Sequence, residues 1–216
     1  MSPGESKLLV IDAGLGNLAS VVNAFCRLGV NADVINNPNN IIKSSSISHI
    51  VLPGVGSYKQ GMQNLEKAGW IKWLKQKSMD DRTPILGICL GMQLLSTYGR
   101  EGSTDKVEGL DLIPGKVEIL GEDLASIRLP HIGWNNVSWK DPQNKIYKYV
   151  NQNEDFYFVH SYHFIADRSD EIISETCYSN HVFTSGVCSE NIIGLQFHPE
   201  KSQKAGSNIL KSFIEL

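Results

Sequence analysis

The chain predicts an α/β protein: a mostly parallel central sheet with helices on both faces, extended by antiparallel strands. Three observations carry that expectation. Apolar, β-favouring runs alternate with helical patterns through the first half, the pattern of strands joined by crossover helices. After Gly115 the helical runs give way to short β-like segments, which suit antiparallel additions. The 216 residues show no internal repeat, low-complexity tract or linker, so a single domain over 1–216 is expected.

Residues 7–12 read as the first strand, an apolar run closed by Asp12. Residues 17–28 follow as a helix, with Leu18, Val21, Val22 and Phe25 at helical spacing. Residues 36–48 are rich in Asn and Ser and read as a loop. Residues 49–52 form the next strand and residues 70–79 a helix. Residues 84–88 are again apolar and β-favouring, and residues 90–97 carry apolar positions at helical spacing. Beyond Gly115, strands are expected at 116–120, 156–159, 172–176, 183–187 and 192–197, and a helix at 206–216 closes the chain.

Composition narrows the function classes. A formal net charge of -3 leaves no electrostatic footprint for nucleic acid. No apolar run is long enough to span a bilayer, and residues 1–6 lack the apolar core of a secretory leader, so a cytoplasmic protein is expected. Cys26, Cys89, Cys177 and Cys188 have neither zinc-like nor redox spacing. The chain has no Walker-type phosphate loop, and Gly14-Leu15-Gly16 lacks the rest of a dinucleotide fingerprint. Neither cofactor nor metal is expected; His160 and His163 have a spacing poorly suited to joint ligation from a strand.

The segment Gly87-Ile88-Cys89-Leu90-Gly91-Met92-Gln93 joins the strand at 84–88 to the helix at 90–97. That is strand, sharp turn, helix, with Cys89 on the turn: a nucleophile elbow. Gly87 and Gly91 suit such an elbow because residues without Cβ let backbone pack closely around a side chain pushed outward. Unpaired N–H groups and the dipole of a helix N-terminus favour a thiolate and can stabilise an oxyanion.

A thiolate nucleophile needs a proton acceptor that later returns the proton. His198 follows the strand at 192–197, and Pro199 restricts it to extended backbone. In an extended stretch His198 and Glu200 would share a face, so Glu200 could orient the imidazole. Taken alone, Cys89 reads more readily as a small buried hydrophobe and His-Pro-Glu as a turn. Their conjunction favours a Cys89, His198, Glu200 triad.

These motifs, with Gln196-Phe197-His198-Pro199-Glu200-Lys201-Ser202, resemble the class I (triad) glutamine amidotransferases, whose fold is flavodoxin-like. Four further segments resemble the HisH family, the glutaminase subunits of imidazole glycerol phosphate synthase: residues 11–17, Leu52-Pro53-Gly54-Val55-Gly56, Pro130-His131-Ile132-Gly133-Trp134-Asn135, and Phe158-Val159-His160-Ser161-Tyr162. The likeness runs from about residue 7 to 213.

The resemblance implies a set of roles. L-Glutamine would be the substrate, with oxyanion donors from Leu90 and from the loop at Gly54, Val55 and Gly56, a loop that in the family needs a peptide reorientation. Gln93 and the segment His160, Ser161, Tyr162 would bind the substrate. Ammonia would pass to a HisF-type (β/α)8 cyclase subunit in a heterodimer, docked near Trp134, Asn135, Tyr157 and Lys201. Trp134 by itself reads equally as a core aromatic.

Ala13 stands where HisH proteins usually have Tyr, Ser179-Asn180 where Tyr-Gly is common, and residues 200–206 also resemble HisH-like paralogues that feed a sugar amidotransferase in surface-polysaccharide synthesis. That partner stays open as the alternative receiver. A non-catalytic scaffold or binding protein, or an elbow-cysteine hydrolase acting on γ-glutamyl compounds, is the reading from other classes. An intact triad argues against the scaffold, and Gln93 with the Trp134 segment against the hydrolase.

Overall fold

A computed structural model describes residues 7–41, 46–121, 127–140 and 143–216. The leader reading of residues 1–6 and the part of the 36–48 loop at 42–45 lie outside the described residues. The first half holds β1 (Lys7–Ile11), α1 (Leu18–Arg27), β2 (Ala32–Ile35), β3 (Ile47–Gly54), α2 (Tyr58–Ala68), α3 (Trp70–Met79), β4 (Ile85–Cys89) and α4 (Leu90–Leu94), the expected strands and helices with β2 and α2 added to them. The second half holds β5 (Tyr98–Gly99), β6 (Val107–Glu108), β7 (Gly115–Ile119), β8 (His131–Asn136), β9 (Ser138–Trp139), β10 (Asp155–His160), β11 (Tyr162–Ala166), β12 (Ile172–Tyr178), β13 (His181–Ser189) and β14 (Ile192–Leu195), closed by α5 (Gln203–Ile214).

The main sheet runs β2-β1-β3-β4-β14-β13-β11-β7-β5-β6, with β12 on β13 and β9 on β12. From β2 to β14 every pairing is parallel. Strand alternation divides the core. Leu8 and Val10 pack with Val21 and Phe25 of α1 and Ile209 and Phe213 of α5, while Leu9 and Ile11 pack with Tyr58 and Leu65 of α2 and Trp70 and Leu74 of α3. Helices therefore cover both faces, and β4, lying mid-sheet between them, is buried along its whole length.

Several expectations need correcting. The strand at 192–197 is shorter, and β14 is not simply an antiparallel addition: it pairs parallel with β4 and antiparallel with β13, so it is the seam where the sheet changes direction. The helix expected over 90–97 stops at Leu94, because the carbonyls of Leu94, Leu95 and Ser96 accept from Leu110, Leu112 and Asp111 of the following segment. Residues 156–159 do not extend the main sheet. They lie in β10, which pairs with β8 in a separate two-stranded sheet, Trp134 opposite Tyr157 and His131 opposite His160.

Helix α2 escapes a sequence reading because only Tyr58, Met62 and Leu65 form its buried apolar stripe, beside Gly61 and many polar residues. Gly69, left-handed at φ 82°, ends α2 and starts α3. Within the expected loop, Pro38–Asn40 forms a 3-10 turn, and Ile47 and Ser48 already belong to β3. No helix among the described residues is long and apolar enough to cross a membrane.

Candidate active site

Cys89 is at once the last residue of β4 and the residue before α4, with φ 53° and ψ -108°. A non-glycine residue holds such a backbone only when its surroundings over-determine it. Here they do. A Cβ on Gly87 would lie 2.7 Å from the Gly91 carbonyl oxygen, and one on Gly91 would lie 1.7 Å from that of Leu52. Both glycines permit backbone-to-backbone approach that folds the turn tightly onto β3. Cys89 is 5% exposed, its sulfur 3.6 Å from the Gln196 Nε2 donor and 3.7 Å from the Val159 carbonyl.

His198 arrives on the neighbouring strand. Leu195 of β14 lies beside Ile88 of β4, and because the two strands run parallel, both chains leave the sheet at the same edge. The main chain of His198 is then held on both sides: its N–H donates to the Tyr157 carbonyl at 2.9 Å, and its own carbonyl accepts from the Ser202 hydroxyl at 2.6 Å. Ser202 Oγ also accepts the Tyr157 N–H at 3.0 Å.

Glu200 reaches the imidazole differently from the sequence expectation. His198 itself is extended (φ -101°, ψ 93°), but Pro199–Lys201 forms a 3-10 turn, not an extended stretch. The turn brings Glu200 Oε1 back to within 2.8 Å of His198 Nδ1. The same oxygen accepts from Asn17 Nδ2 at 2.9 Å. Asn17, left-handed at φ 59° at the head of α1, is a functional contact the sequence did not expose, because only the fold brings the two chain ends together.

Burial lowers the His198 pKa, but the Cys89 sulfur foremost and Glu200 second outweigh it and raise the imidazole to about 10. Its Nε2 is buried and has no partner in hydrogen-bond geometry among the described residues, so the sulfur acts on the ring chiefly through charge. His198 can thus hold a proton beside the sulfur, where the base of a cysteine nucleophile is needed.

A cavity of about 160 Å³ opens at the sulfur, lined by Val55, Gly56, Cys89, Leu90, Gln93, Glu101, Val159, His160, Ser161 and Tyr162. Most of the residues expected for substrate and oxyanion therefore converge there; Gly54 lies just behind, at the end of β3 beside Cys89. Gln93 is 3% exposed and its amide nitrogen donates to the Tyr162 carbonyl (2.9 Å) and to Gln196 Oε1 (3.1 Å). Both amide hydrogens are thus engaged, leaving its carbonyl oxygen for a ligand. Leu90, first in α4, has an N–H with no partner within the helix. The Val55 N–H, by contrast, already donates to the Leu15 carbonyl at 2.9 Å.

Glu101 is a lining residue the sequence reading missed, since it sits in a loop without motif. Burial raises its pKa, opposed by the Tyr58 N–H that its Oε2 accepts at 3.1 Å. The expected partner surface separates into two parts. Trp134 is 48% exposed, which excludes the core-aromatic reading; its ring meets Tyr157 at 6.1 Å and Lys201 Nζ lies 5.7 Å over Tyr157. Asn135 is half-buried on the other face of the strand from Trp134, where it donates to the Cys177 carbonyl at 3.0 Å. Among the described residues no group of three or more His, Cys, Asp or Glu could hold a metal ion.

A cysteine elbow on a parallel sheet, with His and Glu delivered by the adjacent strand, is the arrangement the sequence resemblance implies, and the model of the class I glutamine amidotransferase family matches residues 9–216. The fold agrees: the chain superposes on the structure of PurLQS from Thermotoga maritima with a TM-score of 0.72 at 15% identity, covering 98% of each chain. The chain is 44% identical over 213 residues to imidazole glycerol phosphate synthase subunit HisH 1 of Prochlorococcus marinus (strain MIT 9313), covering 97% of both. It is 40% identical over 208 residues to subunit HisH 2 of Methanococcus maripaludis, covering 96% of this chain and 98% of the relative. The chain belongs to the class I glutamine amidotransferases and, within them, to the HisH family of enzyme subunits.

Proposed function

We propose that this chain, as one domain over residues 1–216, hydrolyses L-glutamine at Cys89 and passes the ammonia to a HisF-type (β/α)8 cyclase subunit in a cytoplasmic heterodimer. It is then the glutaminase half of an imidazole glycerol phosphate synthase in histidine biosynthesis. The observation that carries this reading is the Cys89 elbow beside the His198–Glu200 pair, on neighbouring parallel strands that open into one cavity.

The chemistry follows from those positions. The Cys89 thiolate attacks the side-chain carboxamide carbon, and negative charge develops on its oxygen. His198, protonated and held by Glu200, gives its proton to the departing nitrogen, so ammonia leaves and a γ-glutamyl thioester remains. His198, now neutral, takes a proton from water as it attacks the thioester, releasing glutamate and restoring the thiolate–imidazolium pair. Glu101, Ser161 and Tyr162 line the same cavity, where a carboxylate would complement the ammonium of the substrate's amino-acid end.

The oxyanion needs donors, and Leu90 N–H is the first. The Val55 N–H can be the second only by leaving the Leu15 carbonyl. Gly54 and Gly56, the latter at φ 120°, flank the peptide that would turn. Coupling that turn to partner docking at Trp134, Tyr157 and Lys201 would keep the glutaminase idle until a receiver for ammonia is present.

The test is glutamate release from glutamine by the chain alone, then with HisF and the ribosylated aminoimidazole-carboxamide nucleotide. Strong stimulation is expected. Absent stimulation, with Cys89 still alkylated by a glutamine analogue, would keep the glutaminase and move the receiver to a sugar amidotransferase.

A further inference from the structure

His131 is almost fully buried, 2% exposed, and the mechanism above does not use it. Its ring is stacked between Phe158 (centroids 4.9 Å apart) and Tyr178 (4.0 Å). Both ring nitrogens are engaged: Nδ1 lies 3.0 Å from His160 Nε2, and Nε2 lies 3.3 Å from Asn135 Nδ2.

The roles in this cluster are forced from both ends. Asn135 Oδ1 accepts from the Asn136 N–H and its Nδ2 donates to the Cys177 carbonyl, so Nδ2 is the nitrogen and its second hydrogen goes to His131 Nε2. His131 must then carry its proton on Nδ1 and donate to His160 Nε2. His160 in turn carries its proton on Nδ1, where it donates to the Tyr162 carbonyl at 2.9 Å. That carbonyl also accepts from Gln93, whose amide bonds Gln196, whose own amide meets the Cys89 sulfur. Burial keeps both imidazoles neutral, His131 pushed down to about 4 and His160 to about 3.

The outer end of this chain sits on β8. On the opposite face of the same strand, Ile132 (60% exposed) and Trp134 (48% exposed) point to solvent. One strand thus presents an apolar surface outward and the head of a directional hydrogen-bond chain inward.

We propose that His131 is a positioning residue of the glutaminase: through His160 it fixes the Tyr162 carbonyl and the Gln93 amide, and so links the β8 surface to the glutamine pocket. The inference rests on the glutaminase reading above. His131 touches no substrate and acts only by orienting groups that do.

Two substitutions separate this role from simple packing. His131→Phe keeps a ring between Phe158 and Tyr178 but removes the donor to His160. His131→Asn loses the ring but keeps an N–H near the position of Nδ1. Each variant is assayed for glutaminase in complex with HisF, with KM and kcat for glutamine measured separately and ammonia-dependent synthesis as the control. Phe should raise KM for glutamine about tenfold, the effect of one mispositioned hydrogen bond, while Asn recovers most of the wild-type value despite lower thermal stability. Ammonia-dependent synthesis should be unchanged in both. If the KM of the Phe variant matches or falls below that of the Asn variant, or if losses track stability alone, His131 is a packing residue and the proposal is wrong. A wild-type complex that releases no glutamate would instead overturn the glutaminase reading and this inference with it.

Discussion

Gly91→Ala tests whether the elbow owes its geometry to backbone contact. A Cβ there would lie 1.7 Å from the Leu52 carbonyl oxygen and 2.8 Å from its carbon. A carbon–oxygen contact needs roughly 3.3 Å, so α4 and β3 must separate by about 1.5 Å. Both contacting groups are main chain, and no rotamer change can absorb the clash. Helix α4 begins at the residue after Cys89, so its retreat carries the sulfur away from His198, which is fixed on the other side through Tyr157 and Ser202.

A misplacement of about 1 Å at a reacting centre costs about 100-fold in rate, and overpacking of this kind about 1–3 kcal/mol of stability. The assays are kcat/KM for glutamine in the partnered complex and the urea midpoint of the isolated chain. Gly61→Ala is the contrast. Its Cβ would meet the Leu94 methyls at 3.0 and 3.1 Å, a side-chain end that can move, and alanine favours α2 by up to about 1 kcal/mol. Activity should be near wild type. Wild-type kcat/KM and midpoint in Gly91→Ala would refute the argument that this contact sets the sulfur's position.

Cys89→Ala should abolish glutamine-dependent synthesis in the complex while synthesis from added ammonia persists; loss of both in a folded, partner-bound variant would contradict separate sites. His198→Ala should cut glutaminase more than Glu200→Gln, and Asn17→Ala, which frees Glu200 from a neutral hydrogen bond, should cost less still, about three- to tenfold in kcat. An Asn17→Ala effect as large as that of His198→Ala would point to a different role. Stability should peak near neutral pH. His198 is raised from 6.5 to about 10 on folding, so its contribution is full below 6.5 and is lost as pH climbs through 10. His131 and His160 are lowered from 6.5 to about 4 and about 3, so the native state loses ground as pH falls below 6.5. In urea midpoints from pH 4 to 10, His198→Gln should flatten the alkaline limb and leave the acid limb.

The sequence exposed the parts of this molecule whose physics is local. An apolar run of strand length ending in Gly-x-Cys-x-Gly announces an elbow, because the turn needs close backbone approach and β4 needs apolar side chains on both faces. His198 and Glu200 were legible as a pair for the same reason, although the 3-10 turn that joins them was not: Pro199 restricts the residue before it, yet it equally well opens a short helix. What stayed hidden depends on distant partners. Asn17 meets Glu200 only once α1 and the turn after β14 share one edge of the sheet. Asn135 reads as a neighbour of Trp134 and, by strand alternation, faces the other way. The Val55 N–H looks like an oxyanion donor until Leu15 is seen to hold it.

The pairing of β14 with β4 has a consequence for how such enzymes can diversify. Nucleophile and base are set apart by the spacing of two neighbouring strands, and that spacing is a fixed property of any sheet. Between them in the sequence, β5 to β7, β9 and β11 to β13 are attached beyond that seam, while β10 stays with the site and holds the His198 main chain through Tyr157. Insertions, trimmed hairpins or a rebuilt outer face there leave the sulfur and the imidazole where they were. A lineage can therefore exchange the protein that receives its ammonia by remodelling one flank, while inheriting its hydrolytic centre unchanged.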